Sequence, residues 1–461
     1  MGSGYQQRPP GPRYLTPFGA EREMRRDPLG FVARLQREHG DLLLVRMGPI
    51  HVYMLFHPDH AKHVLQENHA NYVKGPIIAR VKVLFGEGLF TSEGSFWRRQ
   101  RRLAQPAFHR ERIAALVDTI VGCTDERLRG WDAHVRDGRP FDVAAEMSAL
   151  TLTVVGRALF GRDLSGEAAS AGAALGVALE VTAARAMSYL VSPIAFPTPR
   201  NLAFRRARRV LDDLVYQMID ARRRSTDDPG DLLAMLMAAR DEDTGEGMTA
   251  RQLRDELMTF LLAGHETTAV ALSWTWYLLS RHPDVAERLG REVGSVLGAR
   301  RPTMADLPRL PLARMVVEEA MRLYPPVWGV GRQAIGEDTI GGFRIPAGAL
   351  MNLSPWVTHR HPAFWPEPDR FDPDRFAPDA VRTRPRFAYF PFSGGPRLCI
   401  GEQFALVEAQ LIVAMMMQRY RLALPSGTVV EPEVHLTLRP RNGLPMIAAR
   451  AEPAPTLARA G

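Results

Sequence analysis

The sequence predicts a mainly α-helical fold with small β-sheets, an α+β chain built as one domain. Three observations carry that reading. Helical periodicity dominates residues 58–325, short β-branched segments flank it on both sides, and one helical run near the middle is long enough to cross the whole domain. The chain has 461 residues, a length that alone would suit about three domains. No repeat or low-complexity linker divides it, however, and the residues with chemical potential spread from 97 to 399. The expected organisation is a flexible Pro/Gly-rich tail over 1–15, a catalytic domain over 16–450 and a second tail over 451–461.

In chain order, "DLLLVRMG" and "IHVYMLFH" read as strands joined by the turn signal "MGPI". Segments such as "HPDHAKHVLQE", "RRARRVLDDLVYQMIDARRRS" and "DLLAMLMAAR" follow the helical period. The longest helical signal is "TARQLRDELMTFLLAGHETTAVALSWTWYLLSRHP". Thr249 and Gln252 form a capping box at its start, and Pro283 stops it after His282. About 33 residues at ~1.5 Å each span about 50 Å. Being apolar on several faces, this helix reads as a buried central element. Beyond 326, Pro and Gly become frequent and short strands return, as in "FRIPAGALMNLSP". A last helix is expected from about 402 to 420.

Composition narrows the function. Hydrophobic residues make up 46% and charged residues 24%, and no apolar run approaches the ~18 residues of a membrane span. The longest is "LIVAMMM" at 411–417. The N-terminus shows no hydrophobic signal core, and Gln6 stands where a myristoylation signal needs Ser or Thr. A cytoplasmic protein without a membrane anchor is expected. Two cysteines exclude a disulfide scaffold, and there is no Cys-x-x-Cys. Cys123, in "IVGCTDERL", reads as a buried core residue. The net charge of +8 gathers in "FWRRQRR" (96–102) and "FRRARRV" (204–210). Nucleic acid is one reading of such patches, but no nucleic-acid motif is present, and a docking surface for an acidic protein partner explains them equally well.

Four segments carry chemistry. In "AGHETT" (263–268), Gly264 costs about 1 kcal/mol in a helix interior, and Glu266, Thr267 and Thr268 stand where apolar side chains would pack better. Threonines bond back to carbonyls one turn earlier, so this turn is expected to open the backbone ladder and leave a groove for a small molecule or water. The segment "HETTA" is no zinc motif, because Ala269 replaces the second histidine. In "VVEEAMRLYPP", Glu319 and Arg322 share a helix face, and Arg375 of "DPDRF" offers the same carboxylate a second guanidinium. In "GSFWRRQRR", Trp97 and Arg101 stand at i and i+4 and present an indole N–H and a guanidinium to an anion.

The fourth segment is "FSGGPRLCIGEQFA" (392–405). Gly394, Gly395 and Gly401 are expected to take positive φ and let the backbone approach a flat ligand. Cys399 stands just before a helix N-terminus, whose dipole and free N–H groups favour a thiolate. Such a sulfur is either a nucleophile or a soft metal ligand. A nucleophile needs a histidine base and an oxyanion hole, and no partner stands out. A single axial bond to haem iron suits the site better.

These four motifs, in this order, resemble the cytochrome P450 family of haem-thiolate monooxygenases, of the soluble bacterial type. "FSGGPRLCIG" fits the family's Phe-x-x-Gly-x-Arg-x-Cys-x-Gly without a departure, and "DPDRF" carries Asp374 where Glu is commoner. The resemblance implies haem b (iron protoporphyrin IX), with Cys399 as axial ligand and Phe392 shielding it. Trp97, Arg101, Arg332 and Arg397 would hold the propionates, and Ala263 and Gly401 would lie against the macrocycle. Glu266 and Thr267 would deliver protons during O2 activation. Glu319, Arg322 and Arg375 would be structural. Phe260, Ala263, Thr268, Val327, Trp328, Val330, Leu436 and Leu438 would line the substrate pocket, with lid segments near 71–91 and 175–205.

The apolar pocket implies a hydrophobic substrate: a terpenoid, fatty acid, steroid-like molecule or macrolide, hydroxylated or epoxidised. The Glu266–Thr267 pair favours O2 and two electrons from NAD(P)H, passed through a separate ferredoxin or flavodoxin and its reductase. The arginines of 98–102 would receive that partner, and a monomer is expected. The alternatives are a haem-thiolate peroxygenase or isomerase, which would turn over without a partner, and a haem-based sensor, which would carry an output domain or a second axial ligand.

Overall fold

The computed structural model describes residues 8–16, 18–163, 168–186, 188, 192–225 and 230–451. Part of the expected lid segment "SYLVSPIAF", residues 1–7 of the first expected tail and 452–461 of the second lie outside the described residues. Strands β1 (Leu42–Met47) and β2 (Ile50–Leu55) pair antiparallel through the predicted turn, where Gly48 takes φ 57°. Next come β3 (Tyr72–Val73), helix α1 (Gly75–Phe85) and helix α2 (Gly94–Ala104). Helices α3 (Val143–Phe160), α4 (Pro199–Arg224), α5 (Ala250–Arg281) and α6 (Pro311–Leu323) build the helical body.

Strands β4 (Val330–Ala334) and β5 (Leu350–Leu353) return to the first sheet, which runs β1-β2-β5-β4-β3. Its β2–β5 pair is parallel, with Val52 opposite Leu350. Helix α7 (Glu402–Arg419) follows the cysteine segment, and a hairpin of β6 (Pro432–Val434) and β7 (Leu438–Pro440) follows that. The hairpin is thus separated from α5 by a long stretch of sequence and meets it only in the fold, where Trp274 Nε1 donates to Leu438 O at 2.6 Å.

Helix α5 starts as its sequence predicts. Gln252 N–H donates to Thr249 Oγ1 at 3.2 Å, and Thr249 N–H donates to Gln252 Oε1 at 2.8 Å. The helix is buried along most of its length, from Leu253 to Leu262 and from Thr268 to Trp276. Between these stretches one turn is open. Ala263 is exposed, and Gly264, Glu266 and Thr267 are half-buried. An open turn in the middle of a core helix marks an internal cavity.

Helix α3 is long and apolar enough by length and composition to cross a bilayer. Its apolar side chains serve the core instead: Met147, Leu150, Val154, Val155 and Ala158 are buried. Cys123 is buried on the helix Val117–Asp137, as predicted.

Candidate active site

The segment Phe392–Gly401 is a tight loop closed by Cys399 N–H donating to Phe392 O at 3.0 Å. Its glycines act for separate reasons, and the expectation of three positive-φ positions needs correcting. Only Gly395 is left-handed, at φ 64°, and a Cβ there would meet Leu65 O at 1.8 Å. Gly394 is extended, and its Cβ would strike the Phe387 ring at 2.4 Å. Gly401 is at φ −89°, and the atom nearest its Cβ position is Phe108 Cε1 at 3.9 Å. Neither strain nor a protein neighbour demands a glycine at 401, so that face is a cradle a side chain would fill. The Phe108 ring also lies 5.5 Å from Phe260 of α5. One phenylalanine therefore spans the gap between the cysteine loop and the central helix.

Cys399 keeps accessible surface although protein surrounds it on every side. The sulfur therefore faces an internal cavity and not bulk solvent. The backbone N–H groups of Gly401 and Glu402 at the start of α7 stand beside the sulfur and favour its thiolate, the helix-end arrangement the sequence predicted. Burial nonetheless pushes the thiol pKa up, against those N–H groups and Arg101. The expected low-pKa cysteine is corrected accordingly: desolvation outweighs the helix end.

A group of cations stands beside the loop. Arg101 Nη1 donates to Leu398 O at 2.8 Å. Arg397 lies 4.2 Å over the Trp97 ring and pairs with Glu93. Arg332 donates to Gly331 O at 2.9 Å, and burial lowers its pKa to about 10. Lys74, which the sequence did not single out, is buried with its Nζ on the carbonyls of Leu89 (3.0 Å), Phe90 (2.6 Å) and Ser92 (3.3 Å). Burial and the Arg397 charge bring its pKa down to about 7. Among the described residues, neither Arg101 nor Arg332 pairs with a carboxylate. A largely buried positive cluster of this kind calls for an anion.

On the facing helix, Thr267 Oγ1 donates to Ala263 O at 2.7 Å and Thr268 Oγ1 to Gly264 O at 3.1 Å. The threonines back-bond as expected, but α5 runs unbroken from Ala250 to Arg281. The expected opening of the ladder is therefore corrected. Gly264 instead admits α3: a Cβ there would lie 3.2 Å from Val155 Cγ2.

Of the pocket candidates, Val327, Val330 and Leu436 are half-buried, and Phe260 and Thr268 are buried on α5. Trp328 and Leu438 pack into a buried cluster with Leu29, so they are core side chains and not walls of an open pocket. Glu319 and Arg322 are fully buried, joined at 2.6 and 2.8 Å, with Arg375 Nε at 3.6 Å.

The basic stretch 98–102 also needs correcting. Arg99 and Arg102 pair with Asp241, Arg102 also with Asp243, and Arg101 turns inward. Most of that charge is spent within the chain.

The cytochrome P450 family profile matches residues 9–446, and the chain belongs to that family: it is a haem-thiolate monooxygenase. It is 40% identical over 420 residues to cyclooctatin synthase of Streptomyces melanosporofaciens, covering 90% of each chain. With cyclooctat-9-en-7-ol 5-monooxygenase of the same organism it shares 38% over 407 residues, 88% of this chain and 87% of that one. With pentalenene oxygenase of Streptomyces avermitilis it shares 34% over 410 residues, covering 89% and 90%. The crystal structure of the cytochrome P450DA heme domain superposes with a TM-score of 0.88 at 27% identity, covering 97% of this chain and 99% of that one. The family implies haem and O2, with electrons from redox partners.

The residues fit a haem. The enclosed sulfur, the cradle at Gly401 and the uncompensated guanidiniums of Arg101 and Arg332 are what a flat dianionic macrocycle with an axial thiolate requires.

Proposed function

We propose that this protein hydroxylates or epoxidises a cyclic terpenoid with O2 and two electrons from NAD(P)H, carried by a separate ferredoxin and its reductase. The observation that carries the chemistry is the Cys399 sulfur, which keeps accessible surface at the start of α7 although burial desolvates it. In this reading Cys399 would ligate haem b with Phe392 shielding it, while Trp97, Arg101, Arg332 and Arg397 would hold the propionates. Bound there, haem supplies the oxidising chemistry. Thr267 and Glu266 hold and move protons at the open turn of α5, and the apolar pocket excludes water and orients the substrate by shape. Phe260, Ala263, Val327, Val330 and Leu436 would supply that shape.

The choice of terpenoid over fatty acyl substrates is supported by relatives whose names place them on terpenoid skeletons. The electron donor would dock at a groove of about 490 Å³ beside α7, where Arg110 flanks an apolar floor of Ile113, Leu307 and Val407. Helix α7 begins three residues after Cys399, which puts this groove on the sulfur side of the site.

The test is a spin-state titration of the purified holoprotein with a panel of cyclic terpenes, terpene alcohols and long-chain fatty acids. Product analysis with NADPH, ferredoxin and reductase follows. Shifts and oxygenated products confined to the terpenes support the reading, and confinement to fatty acids overturns the substrate assignment. Product formation without any electron donor overturns the mechanism.

A further inference from the structure

Glu266 has neighbours that the reading above leaves unused. Its Oε1 accepts from Thr437 Oγ1 at 3.0 Å, and buried His265 places Nε2 4.0 Å from Oε2. The two sides differ in what holds them. His265 Nε2 meets Ser148 Oγ at 3.0 Å, and its backbone carbonyl accepts from Thr151 Oγ1 at 3.1 Å, both on α3. That side is fixed by two packed core helices.

Thr437 lies in the connection between β6 and β7, where His435 N–H donates to its carbonyl at 2.9 Å. The following residue is pinned: Leu438 N–H donates to Pro326 O at 3.0 Å, and Leu438 O accepts from Trp274 Nε1 at 2.6 Å. The preceding residue, Leu436, is only half-buried. Thr437 itself is buried, so its hydroxyl is a fixed donor on this second side of Glu266.

We propose that Thr437 is a positioning residue for Glu266, its hydroxyl tying the carboxylate to the hairpin that carries the pocket residue Leu436. The inference rests on the proton-delivery role proposed for Glu266. A glutamate on an open helix turn has several rotamers within reach. A buried donor held in place fixes the acceptor it meets, so the Thr437 hydroxyl selects one rotamer. The acid is thereby set in place by the element that touches substrate.

The test compares Thr437→Val, which keeps the shape and removes the donor, with Thr437→Ser, which keeps the donor. Glu266→Gln serves as the reference. The first readout is isotope-edited infrared spectroscopy of the resting holoprotein carrying 13C-glutamate, with the Glu266 band assigned by its loss in Glu266→Gln. The band should move in Thr437→Val and stay in Thr437→Ser. The second is product formed per electron pair. It should fall by about 3- to 10-fold in Thr437→Val, a part of the ~10²–10⁴ that positioned proton transfer contributes, and return in Thr437→Ser with KM unchanged.

If Glu266→Gln stays fully coupled, the role of the acid itself is wrong. If Glu266→Gln uncouples while Thr437→Val moves neither the band nor the coupling, the positioning role alone is overturned. Should Thr437→Val not accumulate as folded holoprotein, Thr437→Ala carries the same comparison.

Discussion

Replacing Glu319 by Gln isolates the buried ion network from the chemistry. The carboxylate accepts from Arg322 Nε and Nη2, and from Asp372 N–H at 2.8 Å. Arg322 in turn donates to the carbonyls of His359, Pro368 and Arg370. Glu319→Gln keeps the shape, removes the only negative charge in contact with Arg322 among the described residues, and turns an amide N–H2 toward N–H donors. Breaking one side of a buried pair costs about 3–5 kcal/mol. Unfolding entropy near 60 °C is about 2.1 cal/mol/K per residue, or about 1 kcal/mol/K for a chain of this length. The melting temperature should therefore fall by about 3–5 °C, read by far-ultraviolet circular dichroism on the holoprotein. Turnover per folded, haem-loaded molecule should be unchanged. A melting temperature within about 1 °C of wild type would refute the energetic argument, and lost turnover in a stable variant would give Glu319 a chemical role.

Three further outcomes are expected. Cys399→Ser should end partner-driven oxygenation even where haem remains bound, and normal turnover would remove the sulfur from the mechanism. Thr267→Ala should consume NADPH while diverting most electrons to hydrogen peroxide, measured as peroxide per NADPH; full coupling to product would reject its proton role. Glu256, buried on α5, accepts from Leu89 N–H at 3.0 Å and Gln100 Nε2 at 2.9 Å, and burial raises its pKa to about 7. A carboxyl raised above its unfolded value of about 4.5 stabilises the fold fully below that value and loses the contribution as pH rises through about 7. Wild type should therefore lose roughly 3 kcal/mol relative to Glu256→Gln between pH 4.5 and 7, measured by urea unfolding across that range. Parallel profiles would contradict the burial argument.

What the sequence disclosed is what is encoded locally. The capping box of Thr249 and Gln252, the span of the central helix and the turn before Cys399 each depend on residues a few positions apart; the capping box appears as read, while the helix stays unbroken and the loop needs one positive-φ glycine instead of three. The family motifs carried the cluster of Trp97, Arg101, Arg332 and Arg397, although these come from three distant segments. Lys74, Glu93, Phe108 and Thr437 escaped notice because each is an ordinary residue whose role exists only through a partner far along the chain.

The same reason explains the misreadings. The need for Gly264 comes from Val155 on another helix, and Arg99 and Arg102 are neutralised by Asp241, about 140 residues away. Leu438 and Trp328 look like pocket walls beside apolar neighbours, yet they close on Leu29 near the N-terminus. Burial of Cys399 by the whole domain likewise outweighs the local helix end that the sequence made visible.

The most direct test of the central claim is the absorbance spectrum of the purified holoprotein, reduced with dithionite, before and after carbon monoxide. A strongly red-shifted Soret band, absent in Cys399→Ser, is the result predicted for haem held by the Cys399 thiolate. A band at the ordinary histidine-ligated position in intact, haem-replete protein would contradict it.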